Sequence, residues 1–343
     1  MRSNADPEPR SGTIFSARTL KAGCLIFAAM ILNGCASLQV HLGMKVYLDK
    51  TPLQSMKVNL ANASAICPGQ KLPLVVTFTQ PDGKTLQTEG AGHGKVMWKD
   101  LQIIGTVVTA SQKGIVSLPR DPRISDGKVP HVTITVPTHP DLRADLDIPT
   151  TYDEKYVANF SGGSGMSGLN GMDGADGIGG SMGSTDPNNP SPGGNGTNGT
   201  DGSNGDEGGP GGDAPPVQVR IAFRPGTHPL LQIGVSAKGQ QKFYLLDPQG
   251  GSLTVKADGG PGGSGGRGGR GGRGGSGGIG TPNGQDGRSG SDGRGGSDGP
   301  QGRGGKITVT YDPQAKPFLA SIHLSASKGP APTFEEAAVA PLW

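Results

Sequence analysis

Aromatic residues make up only 4% of this 343-residue chain, which excludes a single large hydrophobic core. Cysteine is nearly missing: Cys24, Cys35 and Cys67 cannot build a disulfide framework, so the fold does without covalent staples. Outside the N-terminal segment, no long stretch carries apolar residues at helical spacing, which argues against a helical bundle. The apolar run 22–32 is too short to span a bilayer. Histidines 41, 93, 131, 139, 228 and 323 show no metal-ligand spacing, and no Ser/His/Asp or paired-carboxylate set stands out. The chain therefore reads as non-enzymatic, with no cofactor and no bound metal.

Glycine is what the chain has in excess: 63 of 343 residues, against roughly 7% in ordinary proteins. It recurs at every third position in four tracts, 162–183 (tract 1), 193–211 (tract 2), 259–280 (tract 3) and 284–305 (tract 4). A period of three serves neither an α-helix nor a strand. It matches the three-residue turn of a polyproline-II-like helix, whose bare edge lets another backbone approach.

The tracts are sorted by charge. Residues 161–214 hold Asp173, Asp176, Asp186, Asp201, Asp206, Glu207 and Asp213 with no Lys or Arg, whereas 258–306 holds seven Lys/Arg against four Asp. Met166, Leu169, Met172, Ala175 and Ile178 fall on one edge of tract 1, with Asp173 and Asp176 on the next. Arg267, Arg270 and Arg273 fall on one edge of tract 3. The expectation is a slab of four helices, ~65–75 Å long at ~3.1 Å per residue. In it, Arg267, Arg270 and Arg273 form an inter-helix charge face with Asp173 and Asp176. The bland alternative is disordered low-complexity chain.

Around the tracts the pattern is β. KLPLVVTFTQPDGKTLQTE places two β-rich runs about the turn Pro81-Asp82-Gly83, and VMWKDLQIIGTVVTA, GIVSLPR and PHVTITVP follow at sandwich spacing. YVANF leads into tract 1 and VQVRIAF leaves tract 2; SLTVKA leads into tract 3 and KITVTY leaves tract 4. The expected fold is mainly β, an Ig-like β-sandwich plus a second small β domain, with two inserted Gly-rich polyproline/polyglycine-II hairpins. The expected division is a signal peptide (1–34), a tether (35–54), the Ig-like domain (55–160), an acidic Gly-x-y hairpin (161–214), strands of the second domain (215–257), a basic hairpin (258–305), closing strands (306–328) and a tail (329–343). The strands flanking each glycine pair are expected to return to one sheet.

Two resemblances add to this reading. Arg10, Arg18 and Lys21 before the apolar run, ending in Leu32-Asn33-Gly34-Cys35, resemble the signal and lipobox of bacterial lipoproteins. Asn33 departs from the usual small or β-branched residue. The resemblance implies lipidation of Cys35, an attachment to membrane through it and, with Ala36 in place of an inner-membrane aspartate, the outer membrane of a bacterial envelope. Several acyl chains at about 0.8 kcal/mol per buried methylene make a durable anchor. Loss of residues 1–34 leaves a net charge of +1 (the formal +3 less four basic plus two acidic residues), which points to no partner. The Gly-x-y period resembles bacterial collagen-like surface proteins over about a quarter of the chain. Collagen carries proline at roughly 15–20% or more, whereas these tracts hold only Pro210, Pro261 and Pro300, with Pro282 in the link between tracts 3 and 4. Two glycines per triplet in tract 3 suit side-by-side packing better, as in polyglycine II. A monomer is expected, with a collagen-like trimer as the alternative.

Other motifs are by-products. Gly163-Ser-Gly165-Met-Ser-Gly168 copies the dinucleotide fingerprint, but the glycine period leaves no room for its helix. GGRGGRGGRGG lacks the aromatics that stack bases, so nucleic acid is not an expected partner. Asp201, Asn204, Asp206 and Glu207 are the densest oxygen cluster. The composition and resemblances imply a lipid-anchored envelope protein with a structural, spacer or adhesion role, whose further partners would be other envelope or extracellular surface components. The alternative is a ligand- or carbohydrate-binding module in which the Ig-like domain binds. A third, ice binding, rests on Thr197 and Thr200.

Overall fold

The computed structural model describes residues 43–343, which are mainly β, with 31% strand and 7% helix. The chain divides into two compact units, residues 43–119 with Gly127–Thr150, and Arg120–Asp126 with Thr151–Trp343.

The first unit is sandwich-like. Strands β1 (Ser55–Leu60), β2 (Lys71–Thr79), β5 (Thr109–Ala110) and β6 (Ile115–Ser117) form a sheet in the order β1-β2-β6-β5, with β3 (Thr85–Gln87) also on β2. Strands β4 (Gln102–Thr106), β7 (His131–Val136) and β8 (His139–Asp147) form another. Alternate residues point to one side of a strand, so Leu74, Val76 and Phe78 of β2 share a core with Val132, Ile134 and Val136 of β7. Gly83, at φ +81°, closes the β2–β3 turn. Cys67 is buried, a small side chain filling space.

The outward side of β7 and β8 carries a polar ladder. His131 Nδ1 lies 2.7 Å from Asp147 Oδ1 and its Nε2 3.1 Å from Asp145 Oδ1. Arg143 and Thr133 also donate to Asp145 and hold its carboxyl far below the usual range. Asp147, and then Asp145, raise the His131 pKa by favouring the charged ring.

In the second unit, β9 (Lys155–Asn159), β13 (Ser252–Lys256) and β15 (Ile322–Ser325) form a parallel sheet, in the order β15-β13-β9. Strands β10 (Val217–Arg224), β11 (Leu230–Ala237), β12 (Gln240–Leu246), β14 (Ile307–Tyr311) and β16 (Thr333–Glu336) form a mixed one, ordered β12-β11-β10-β14-β16. Val219, Ile221, Ile233, Leu253, Val255 and Val309 join both sheets in one core. The expected boundary at residue 160 moves to Thr150/Thr151, because β9 pairs with β13. Residues 329–343 are more than a tail. They supply β16, and Trp343 Nε1 donates to Asp126 Oδ2 at 2.8 Å.

The flanking strands of each glycine pair do not return to one sheet, contrary to the sequence-based expectation. The two strands that enter the tracts, β9 and β13, pair with each other; the two that leave, β10 and β14, pair in the other sheet. Each chain excursion therefore starts in one layer and ends in the other.

The raised His131 pKa predicts a pH-dependent term. A histidine whose pKa rises on folding contributes stability fully below its unfolded pKa of about 6.5, and this is lost as pH climbs through the folded value. The stability difference between the natural chain and Asp147→Asn, measured by denaturant unfolding, should shrink over that interval. A difference constant from pH 5 to 9 would contradict it.

Candidate interaction surface

Tracts 1–4 are neither helix nor strand, and their main chains bond to one another at every third residue. Tract 1 donates to tract 3 from Gly165 N–H to Pro261 C=O (2.9 Å), Gly171 to Arg267 (2.7 Å) and Gly177 to Arg273 (2.7 Å), a constant offset that makes the two parallel. Tract 2 donates to tract 4 in the same way, with Gly196 to Gln285, Gly202 to Ser291 and Gly208 to Ser297, each 2.9 Å. The remaining bonded pairs are antiparallel. Thr200 N–H reaches Ala175 C=O, Gly272 N–H reaches Thr200 C=O, and Gly290 N–H reaches Gly272 C=O. Among the described residues no main-chain bond joins tract 1 to tract 4. Tracts 2 and 3 thus form the shared middle, and tracts 1 and 4 are opposite edges.

This placement explains the doubled glycines of tract 3. A Cβ on Gly265 would overlap the Gly296 carbonyl of tract 4, and one on Gly266 would overlap the Leu169 carbonyl of tract 1. With both positions bare, all three donors of the triplet Arg270–Gly272 find acceptors. Arg270 N–H donates to Asp173 Oδ1 (2.7 Å), Gly271 N–H to Asp292 Oδ1 (2.8 Å) and Gly272 N–H to Thr200 O (2.9 Å).

The residues expected to form a charge face meet, but through different atoms. Asp173 and Asp176 accept from the main-chain N–H groups of Arg270 and Arg273, both at 2.7 Å. Asn170, which is neutral, does the same for Arg267 at 2.9 Å. Among the described ion pairs, none joins these guanidinium groups to these carboxylates. The row acts through an acceptor oxygen at a fixed triplet position. Sequence reasoning missed its counterparts, because no charge marks them. Thr197, Thr200 and Ser203 hydroxyls accept from Ile178, Ala175 and Met172 N–H groups at 2.7 Å. Asn198 and Asn204 accept from Arg288 and Arg294 N–H groups at 2.8 Å. Thr197 and Thr200 are therefore engaged with tract 1, which weakens the ice-binding reading. Asp201 of the oxygen cluster likewise accepts Ser291 N–H at 2.6 Å.

Outward positions carry rows of distinct chemistry: apolar on tract 1, arginine on tract 3, and Arg288, Arg294 and Arg303 on tract 4. Cys35 and the signal peptide lie outside the described residues. The chain matches no protein-family model and no curated protein.

Two predictions follow from these contacts. Gly266→Ala should destabilise by about 1–3 kcal/mol or more through overpacking, and should lower amide-exchange protection along tracts 1 and 3. Arg270→Ala, which removes an exposed side chain and keeps the main-chain donor, should not. Asp173→Asn keeps an acceptor and should be near neutral, whereas Asp173→Ala should cost about 0.5–1.5 kcal/mol. Equal losses in a denaturant titration would assign the row to charge instead.

Proposed function

We propose that this protein is a non-enzymatic, lipid-anchored component of a bacterial cell envelope, with a structural, spacer or adhesion role. Its tracts form a polyglycine-II-type array of two helical hairpins carried on the sheets of the second unit, and the first unit is an Ig-like sandwich. The observation that carries this reading is the period-three interlock of four main chains. It makes a rigid rod-like element from residues with no reactive groups, and it leaves the variable positions pointing outward as sorted rows. A catalytic site needs converging polar groups in a water-excluding pocket; these rows diverge into solvent, which suits contact with an extended surface. The lipobox-like Leu32-Asn33-Gly34-Cys35 supports attachment to membrane through Cys35 and export to the outer membrane.

Expression in a bacterial host with labelled palmitate tests the anchor. The full chain should carry label and fractionate with membranes, and Cys35→Ser should lose both. Substitution of Arg288, Arg294 and Arg303 by glutamine should reduce surface attachment by roughly tenfold or more while leaving denaturation unchanged, since loss of about 1.4 kcal/mol of contact is tenfold. Unlabelled protein in the soluble fraction would overturn the anchored reading.

A further inference from the structure

The outward row of tract 1 is an uncharged apolar ridge on a held backbone. Met166, Leu169, Met172 and Ile178 are 83%, 73%, 78% and 76% exposed, although main-chain bonds to tracts 2 and 3 fix the segment that bears them. Within the row, Ala175 is one small residue among large ones. We infer that this ridge is a self-association surface, and that a second copy of the chain packs on it antiparallel about a two-fold axis. The inference rests on the array described under the proposed function.

Period decides the occupant. Successive ridge side chains stand three residues apart, ~9.3 Å at ~3.1 Å per residue. An α-helical partner repeats at about 5.4 Å per turn, and a strand presents one face every ~6.6–6.8 Å. Neither stays in phase over the four steps from Met166 to Ile178. A second copy does so along the whole ridge.

Shape agrees with period. An axis passing between positions 172 and 175 sets Met172 of each copy opposite Ala175 of the other, so the long side chain enters the gap. The same axis sets Leu169 opposite Ile178. Each contact occurs twice, as an isologous interface requires. Five ridge side chains at roughly 60–120 Å² apiece give roughly 600–1,200 Å² over both copies, the size of a weak, reversible interface. The rims are polar, with tract 2 hydroxyls on one side and Asp173 and Asp176 on the other, as the border of a protein contact should be. A bilayer fits less well, because sinking the ridge would draw those two carboxylates toward the hydrocarbon.

Oxidative cross-linking of the full chain tests the pairing. In Met172→Cys/Ala175→Cys, the two thiols of one chain are too far apart to bond, since a disulfide needs Cα atoms within about 7 Å. Copies paired as inferred should yield a covalent dimer, well above the background of the unsubstituted chain. The equally spaced Arg267→Cys/Arg270→Cys variant of tract 3 should stay at that background. Adding Leu169→Asp should cut the dimer at least tenfold, with no change in proteolytic resistance of residues 161–214. That resistance separates failure of the pairing from failure of the array beneath it. Equal cross-linking of the tract 3 variant, or no effect of Leu169→Asp, overturns the inference. So does the lack of a dimer; if vesicles of zwitterionic phospholipid then bind the natural chain and not Leu169→Asp, the ridge belongs to a membrane.

Discussion

One interaction underlies the second unit: a main-chain hydrogen bond between extended segments that touch along bare edges. An extended backbone of this kind has no bonds of its own, so every N–H and C=O must be satisfied by a neighbour or by water. Glycine allows the neighbour to come close enough, and the same residue makes ordering expensive. Each bond contributes net about 0.5–1.5 kcal/mol, whereas fixing a residue costs about 1–2 kcal/mol. Isolated tracts would not order on these terms. They need a template that sets register before the bonds can cooperate.

The sheets supply that template. Asn159 of β9 pairs with Lys256 of β13, and the same separation of 97 residues recurs where Asp176 meets Arg273 near the far end of tract 1. Val217 of β10 pairs with Ile307 of β14, and that separation of 90 recurs where Asn198 meets Arg288. Phe160 N–H to Lys256 C=O and Gly162 N–H to Asp258 C=O carry the ladder across the junction without a slip. Asp258 secures the same point by accepting from Ser325 Oγ and Ser327 N–H, both at 2.7 Å, which holds its carboxyl below the usual range. The two layers draw together there, with Gly305 N–H donating to Ala257 C=O at 2.8 Å. Small residues at that point let the sheets converge to bonding distance.

Part of this was legible in the sequence and part was not, for physical reasons. Alternation in β2 and β7 marks their buried faces, because a side chain's face follows from its parity. Bare edges are also visible: the doubled glycines of tract 3 require neighbours on two sides, as Gly265 and Gly266 have. Partner choice is a different matter. Parallel pairing of β9 with β13 joins segments nearly a hundred residues apart, and nothing local in either strand encodes the other. The role of Asp173 was misread for a related reason. Composition reports a carboxylate as a charge, while the fold uses one oxygen as an acceptor, a task that Asn170 performs equally well. The acceptor role of Thr200 and Ser203 went unread because a hydroxyl in a glycine tract carries no pattern except its place in the triplet.

The same edge logic limits the array to four. A fifth tract would have to approach tract 1 or tract 4 within bonding distance, and that needs a second bare row on one of them. Tract 1 carries Met166, Leu169, Met172 and Ile178 on its open side, and tract 4 carries Arg288 and Arg294. A side chain at every third position holds another backbone off, much as charged or bulky residues protect the edge of a sheet. Tract 3, with glycine at two positions in three, meets neighbours on both of its bare sides and has none left over. Lattice growth is thereby blocked at the main-chain level, and any further association has to go through side chains. An edge that has stopped being a hydrogen-bonding template becomes a surface whose chemistry can vary freely, which is how a repeat so poor in functional groups can still be specific.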